Sequence, residues 1–418
     1  MKIMSNKLWY LWIIIMGFLV LLVSSGVRAL PSILVLPWQQ NFLWNRGEIS
    51  AVIATGTFLF GLIGPFSAAF MQRYGARLVG TVVIFILAIV TLSLTFMTKI
   101  WQAELLVGII SGTMTGAVAD VYGIYIANNW FYRNRGLVLG IFTASSSIGQ
   151  LIILPLVAQI LTDFGWRYTV TIVAVFVFLI SLVVWLFMRD YPQQVGLPPL
   201  GYHQPIKPAY PKINVQAVLL QPLNILTVAL KSQYFWLLAL PFLVCGASTY
   251  GLIGVHFIAA GHDYAISEVQ ASNFLALMGI CDIIGSLIAG VLTEKIDPRF
   301  ILIVMYVLRG FTLFFLPFAF FYGGIWLIIY VILFGLSWNA TVSPTIQLLS
   351  THFGQKNSGM LFGWIFVIHQ IGGALMAYLS GAIHDEMQSY VMAFIMAGAL
   401  CMIAALIVIF IPAKQLNE

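Results

Sequence analysis

Five side chains able to carry charge or a proton lie well inside otherwise apolar runs, away from their ends: Arg28, Asp120, Asp282, Arg309 and His369. A guanidinium in hydrocarbon costs roughly 2.5–3.5 kcal/mol even on lenient insertion scales, and ionisable groups in such runs usually face a cavity or each other. Two of the four formal charges are positive and two negative, so mutual neutralisation is available. Arg28 interrupts the stretch LLVSSGVRALPSILVLP, 19 positions beyond Trp9, which is roughly 28 Å along a helix. Its planar fork can grip a carboxylate through two parallel hydrogen bonds. The plainer alternative is a side chain that snorkels to the interface.

The other four groups each admit two readings. Asp120 shares a helical face with Gly116, Ala117, Ile124 and Ala127, so it can pair with Arg28 or a basic loop residue in a tightly packed site, or exchange a proton. Asp282 lies near the middle of its run, where Arg309 offers a structural ion pair. His369, followed by Gln370, Gly372 and Gly373, can relay a proton or fill a hydrogen bond between helices. In SWNATVSPT at 337–345, Trp338 and Asn339 are candidate solute contacts, and Pro344 marks a candidate kink. His256, near a run's outer end, is expected at the interface. Cys245, Cys281 and Cys401 lack metal-ligand spacing and read as core.

The elements that must position these groups follow from composition. The chain has 418 residues, 61% hydrophobic and 8% charged, whereas soluble domains carry about 25% charged residues. The solvent is therefore a lipid bilayer, and the net charge of +6 is not the footprint of a nucleic-acid binder. Apolar runs near 9–37, 49–70, 78–97, 103–127, 137–160, 168–188, 234–259, 269–292, 300–321, 325–349, 359–382 and 390–411 are each long enough to cross a membrane. An alternative for the first run is a signal peptide cut beside Arg28, which the bulky Val27 and the apolar sequence beyond it oppose. Of the 19 Lys and Arg residues, Arg28 and Arg309 fall within runs and only Arg46, Lys99 and Arg167 face one side. The remainder face the other side, which the positive-inside rule makes cytoplasmic, together with both termini.

Residues 189–233 form one long polar connection holding seven prolines, from Pro192 to Pro222. The expected domains are 1–188, a cytoplasmic linker 189–233, and 234–418. The halves echo each other. MQRYGAR at 71–77 matches TEKIDPR at 293–299, placing Arg73 against Lys295 and Arg77 against Arg299, 222 positions apart in each case. Phe131 and Phe353 keep that offset in the next loop, and Arg28 falls opposite Tyr250. One offset shared by separate loops implies a duplicated bundle. The chain lacks a zincin His pair, a P-loop and a glycine-rich dinucleotide turn, so it reads as a non-enzyme without cofactor or metal.

The paired loops resemble the Gly-x-x-x-Asp-Arg-x-Gly-Arg signature of the major facilitator superfamily. Gln72 stands where that signature has Asp, Asp297 where it has Gly, and Glu294 keeps the acid of the second copy. NNWFYRNRGLVLG, ALKSQYFWLLAL and FGWIFVIHQIGGALMAYLSGAIHD resemble its monocarboxylate and oxalate–formate branch. The resemblance implies an all-α membrane fold of twelve helices in two pseudo-symmetric six-helix bundles, with helices 1, 4, 7 and 10 lining a central cavity. It implies alternating access, with Arg73, Arg77, Glu294, Lys295 and Arg299 as a cytoplasmic gate that breaks when the molecule opens inward. It also implies Arg28 as an anion contact. Ser286 stands where the branch places an Arg four residues after the helix-8 Asp, so that second anchor is missing.

Three functions are carried forward. The first is secondary transport of a small organic anion such as a carboxylate, bound by Arg28, Tyr250, Asn339 and Gln370, with Asp282 or His369 carrying a coupled proton. The second keeps the fold for a larger solute, a polycarboxylate siderophore or a drug. The third is a membrane sensor that binds without transport. The expected setting is a bacterial inner membrane, with the protein acting as a monomer.

Overall fold

The structure, a computed structural model, describes residues 6–132, 135–201, 215–293 and 295–412. Its described spans are helical, apart from short breaks taken up below. Helix α1 is Asn6–Phe42. The path Arg46–Leu94 turns at Gly75, giving α2 (46–74) and α3 (76–94). Then follow α4 (Ile100–Trp130), α5 (Arg135–Phe164), α6 (Trp166–Phe187), α7 (Gln233–Asp263), α8 (Glu268–Thr293), α9 (Pro298–Tyr322), α10 (Gly324–Phe353), α11 (Gln355–Met387) and α12 (Val391–Ile409). Among the described residues, eleven stretches are long and apolar enough to cross a membrane. Helix α5, with 30 residues, stands where the remaining expected span lies.

Large apolar side chains such as Phe85, Leu179, Phe311 and Leu406 point outward. That exposure suits hydrocarbon rather than water. Inside, Ile13, Leu87, Trp130 and Phe142 anchor the first half's core, and Phe257, Tyr330, Phe334 and Phe394 that of the second. The end carrying loops 71–77 and 293–299 is called the basic end below, and the opposite one the far end.

The turn at Gly75 shows why sequence forces local structure. Its φ is +82°, a region that side-chain-bearing residues enter at a cost. A Cβ there would also collide with the Asp190 carboxylate, which accepts from Arg77 N at 2.8 Å and so caps the start of α3. Asp190 begins a strap that runs under the first half, where Leu200 N donates to Trp130 O at 2.8 Å and Tyr10 Oη donates to Pro198 O. Burial pushes the Asp190 carboxyl up, against the downward pull of its hydrogen bonds and the Arg77 charge.

A second close approach holds α7 on α11. Gly246 lies so near the His369 backbone carbonyl that any Cβ would penetrate it. Gly246→Ala is therefore expected to separate α7 from α11 and cost about 1–3 kcal/mol, the usual range for overpacking. Thermal unfolding of the purified variant in detergent checks this, and a melting temperature equal to the parent's would show that the seam can yield.

Candidate functional site

A cavity of about 390 Å³ lies between the halves, and Arg28, Phe60, Tyr250, Asp282, Asn339 and Phe366 are among the residues that line it. Arg28 enters from α1, half-buried. Its ζ carbon stands 4.8 Å from the Phe60 ring centroid and 5.0 Å from that of Tyr250. Each such contact stabilises a cation by about 0.5–2 kcal/mol, so the pair is comparable with the insertion cost of the charge. Ring faces balance charge but leave the directional N–H donors free for an anion. Among the described residues Arg28 enters no ion pair.

Tyr250 belongs to a widened π-helical turn, Ala247–Ile253, inside α7. Such turns recur at functional positions because the extra residue re-aims side chains. The Tyr250 ring meets His369 edge-on at 5.3 Å and Trp338 at 6.2 Å.

Helix α10 breaks beside the cavity, between Ser337 and Val342. A broken helix leaves carbonyls at one edge and N–H groups at the other, with partial charges to match. Arg309 serves the first edge: its Nη2 donates to Ser337 O, and to Trp338 O at 2.9 Å. Asp282 serves the second: Oδ1 accepts from Asn339 N at 2.9 Å and Oδ2 from Asn339 Nδ2 at 2.8 Å. Ser286 Oγ, at the position lacking an Arg, donates to Oδ1 at 3.2 Å. Pro344 lies in the first turn of the second piece, where a missing N–H costs little.

The expected direct ion pair between Asp282 and Arg309 is therefore not formed. Unwound α10 backbone stands between them, and each charge neutralises one edge of the break. Helix α4 breaks as well, at Val118 and Ala119, again 222 positions from the α10 break. Asp120 opens the second piece of α4, but its side chain lies outside the described residues.

Gln370 does not line the cavity in this structure. It extends the stripe of Phe362 and Phe366 by one turn of α11, but at that level α2 closes on α11. Gln370 is fully buried with its Cβ against Gly61, and neither its Nε2 nor its Oε1 has a partner. His369 does not line the cavity either. It sits behind Tyr250, packed by Phe242 and by a parallel Phe366 ring, with Nδ1 unpartnered. His256 is not interfacial: it is fully buried, its Nε2 2.8 Å from Ala377 O and its Nδ1 3.1 Å from Tyr390 Oη.

At the basic end the contacts of Arg73, Arg77 and Arg299 stay within their own halves. Arg73 lies over Tyr74, and Arg77 donates to Trp185 O while stacking on that ring. Arg299 pairs with Asp297 and donates to Ile411 O at 3.0 Å, where α12 ends. The Arg299 hydrogen bonds hold the Asp297 carboxyl below its usual range. Lys295 is exposed, and Glu294 lies outside the described residues.

Among the described residues a polar network joins the halves at the far end, and sequence reasoning missed it. Arg46, at the start of α2, donates from Nη2 to Asp263 Oδ1 at 2.8 Å and from Nη1 to Oδ2 at 2.9 Å, where α7 ends. His384 Nε2 is 2.9 Å from the same Nη1. Asp385 caps α2 from the opposite half, accepting from Arg46 N at 3.0 Å and Gly47 N at 2.6 Å. Gln39 accepts from Arg46 Nε at 3.1 Å. The available signal was Arg46 itself, a cation where the positive-inside rule disfavours one.

The sequence model of the Major Facilitator Superfamily matches residues 14–377 and 242–417. The chain is 23% identical to an uncharacterised MFS-type transporter, YcxA of Bacillus subtilis, over 94% of this chain and 92% of that one. It is 23% identical to monocarboxylate transporter 12 of Xenopus laevis, over 93% and 85%. Among solved structures it resembles a bacterial homologue of the human lysosomal transporter Spinster, inward-facing and occupied, with a TM-score of 0.72, 14% identity and 96% of both chains covered. It also resembles the Escherichia coli xylose transporter XylE in a partially occluded inward-open form, with a TM-score of 0.70, 14% identity, and 98% and 99% covered.

Proposed function

We propose that this chain, which belongs to the major facilitator superfamily, carries a small organic anion with a carboxylate head across a cell membrane. It is a transporter with the alternating-access fold of that superfamily. The observation that carries the anion reading is the Arg28 guanidinium, set in the cavity between two aromatic rings. The cavity volume of about 390 Å³ falls at the small end of organic-ligand sites.

Asp282 supports a monoanion over a polycarboxylate. Its carboxylate faces the same cavity, so a second negative charge on the solute would meet a like charge. Asn339 and Tyr250 complete the polar wall around the head group. Gln370 joins them when the α2–α11 seam opens, since that seam alone separates its unpartnered amide from the cavity stripe. With the basic end cytoplasmic, as the positive-inside rule orients it, the far-end network closes the outside and the protein stands open inward. The setting is then a bacterial inner membrane with both termini cytoplasmic.

Counterflow in proteoliposomes tests this reading with matched mono-, di- and tricarboxylates and neutral analogues. Exchange is expected for monocarboxylates. Exchange confined to neutral or polyanionic solutes would replace it with the larger-solute alternative. Saturable binding without any flux would favour a sensor.

A further inference from the structure

The far-end network contains one proton position that two partners contest. Arg46 carries donors only. Its Nη1 lies 2.9 Å from both Asp263 Oδ2 and His384 Nε2, and His384 Nε2 lies 3.1 Å from the same Oδ2. A neutral imidazole with its hydrogen on Nδ1 accepts from Arg46 at Nε2. An imidazolium cannot: Nε2 becomes a donor, turns to Asp263, and faces Nη1 donor to donor. Arg46 belongs to the first half, whereas His384 and Asp263 both belong to the second. Starting from the tautomer with its hydrogen on Nδ1, arrival of a proton replaces a bond between halves by one within a half, and sets two cations side by side.

The other groups facing His384 do not compete for that proton. From α7, His256 has Nε2 against the Ala377 carbonyl and Nδ1 against the Tyr390 hydroxyl, so its single hydrogen sits on Nε2 and Nδ1 accepts. Tyr390, at the start of α12, has its ring 4.6 Å from that of His384. On α11 itself, Asp385 is occupied by the N–H groups of Arg46 and Gly47. From α2 comes Arg46. His384 is 6% exposed and its Nδ1 has no partner.

We propose that His384 is a proton-binding site that governs the far end: its protonated form loosens the Arg46–Asp263 junction and favours the state open on that side. Acidification on the far side then biases the transporter toward facing it, by shifting the population between two conformations.

The test uses the full chain in nanodiscs, with spin labels on cysteines placed at Lys99 and Tyr322. Both positions are exposed at the far end, one in each half, and the native cysteines are buried. Between about pH 7.5 and about pH 5.5, the far-end-open population should rise by at most about tenfold per pH unit, the limit for one coupled proton. His384→Gln should flatten that response, and Asp263→Asn should open the far end at both pH values. A flat parent response overturns the proposal. So does a pH response that survives in His384→Gln or, should that variant not fold, in Asp263→Asn. The readout needs no solute, so it stands apart from the Arg28 reading.

Discussion

Arg28→Gln is expected to lower saturable anion uptake by about 30-fold or more, because removing one member of a buried hydrogen-bonded charge pair costs about 2–5 kcal/mol. Glutamine keeps a donor and much of the length but loses the charge and the paired N–H geometry. Arg28→Lys should retain part of the uptake, with weakened apparent affinity, since a lysine supplies the charge without the planar fork. Folding should survive both changes, since Arg28 is half-buried and its contacts are two ring faces. Counterflow with the best monocarboxylate, beside a melting curve for each variant, measures both quantities. Undiminished uptake by Arg28→Gln would end the anion-anchor assignment.

Asp282→Leu should lower thermal stability by about 3–5 kcal/mol, the range for removing one partner from a buried charged site. The leucine leaves Asn339 N and Nδ2 without acceptors and strips the carboxylate from the edge of the α10 break. Asp282→Asn keeps one acceptor oxygen and should cost less. A double variant separates capping from ion pairing. Were Asp282 and Arg309 a direct pair, joining Asp282→Leu to Arg309→Met would recover stability, as apolar replacement of buried pairs often does. Because each group serves the α10 backbone instead, the double variant should be at least as unstable as either single one. Melting curves of the four proteins decide, and recovery in the double variant would favour a direct pair.

Much of the architecture was legible because it rests on one-dimensional signals. Apolar runs of membrane length, the skewed placement of Lys and Arg, and loops echoing at an offset of 222 residues specify a lipid-embedded duplicated bundle. Burial in hydrocarbon leaves the backbone only helices or closed barrels, and continuous apolar runs of about 20 residues select helices. The same offset relates the two helix breaks, Val118 in α4 to Ala340 in α10, although only the kink near Pro344 was read from the sequence. Arg28 stood out because an unexplained cation in an apolar run must have a cavity or a partner.

Only the tertiary structure decided which of the polar groups meet. Sequence placed Asp282 and Arg309 at similar depth and suggested a pair, but it could not show that α10 unwinds between them and takes both. Gln370 lies on the cavity stripe by periodicity, yet at its level the halves have closed and buried it against Gly61. The junction joins Arg46 to Asp263, His384 and Asp385, each more than 200 positions away, at helix ends where charges look ordinary. Helical periodicity fixes which residues share a face. Contact between helices depends on how two bundles lean together, and that angle is a property of the packed whole.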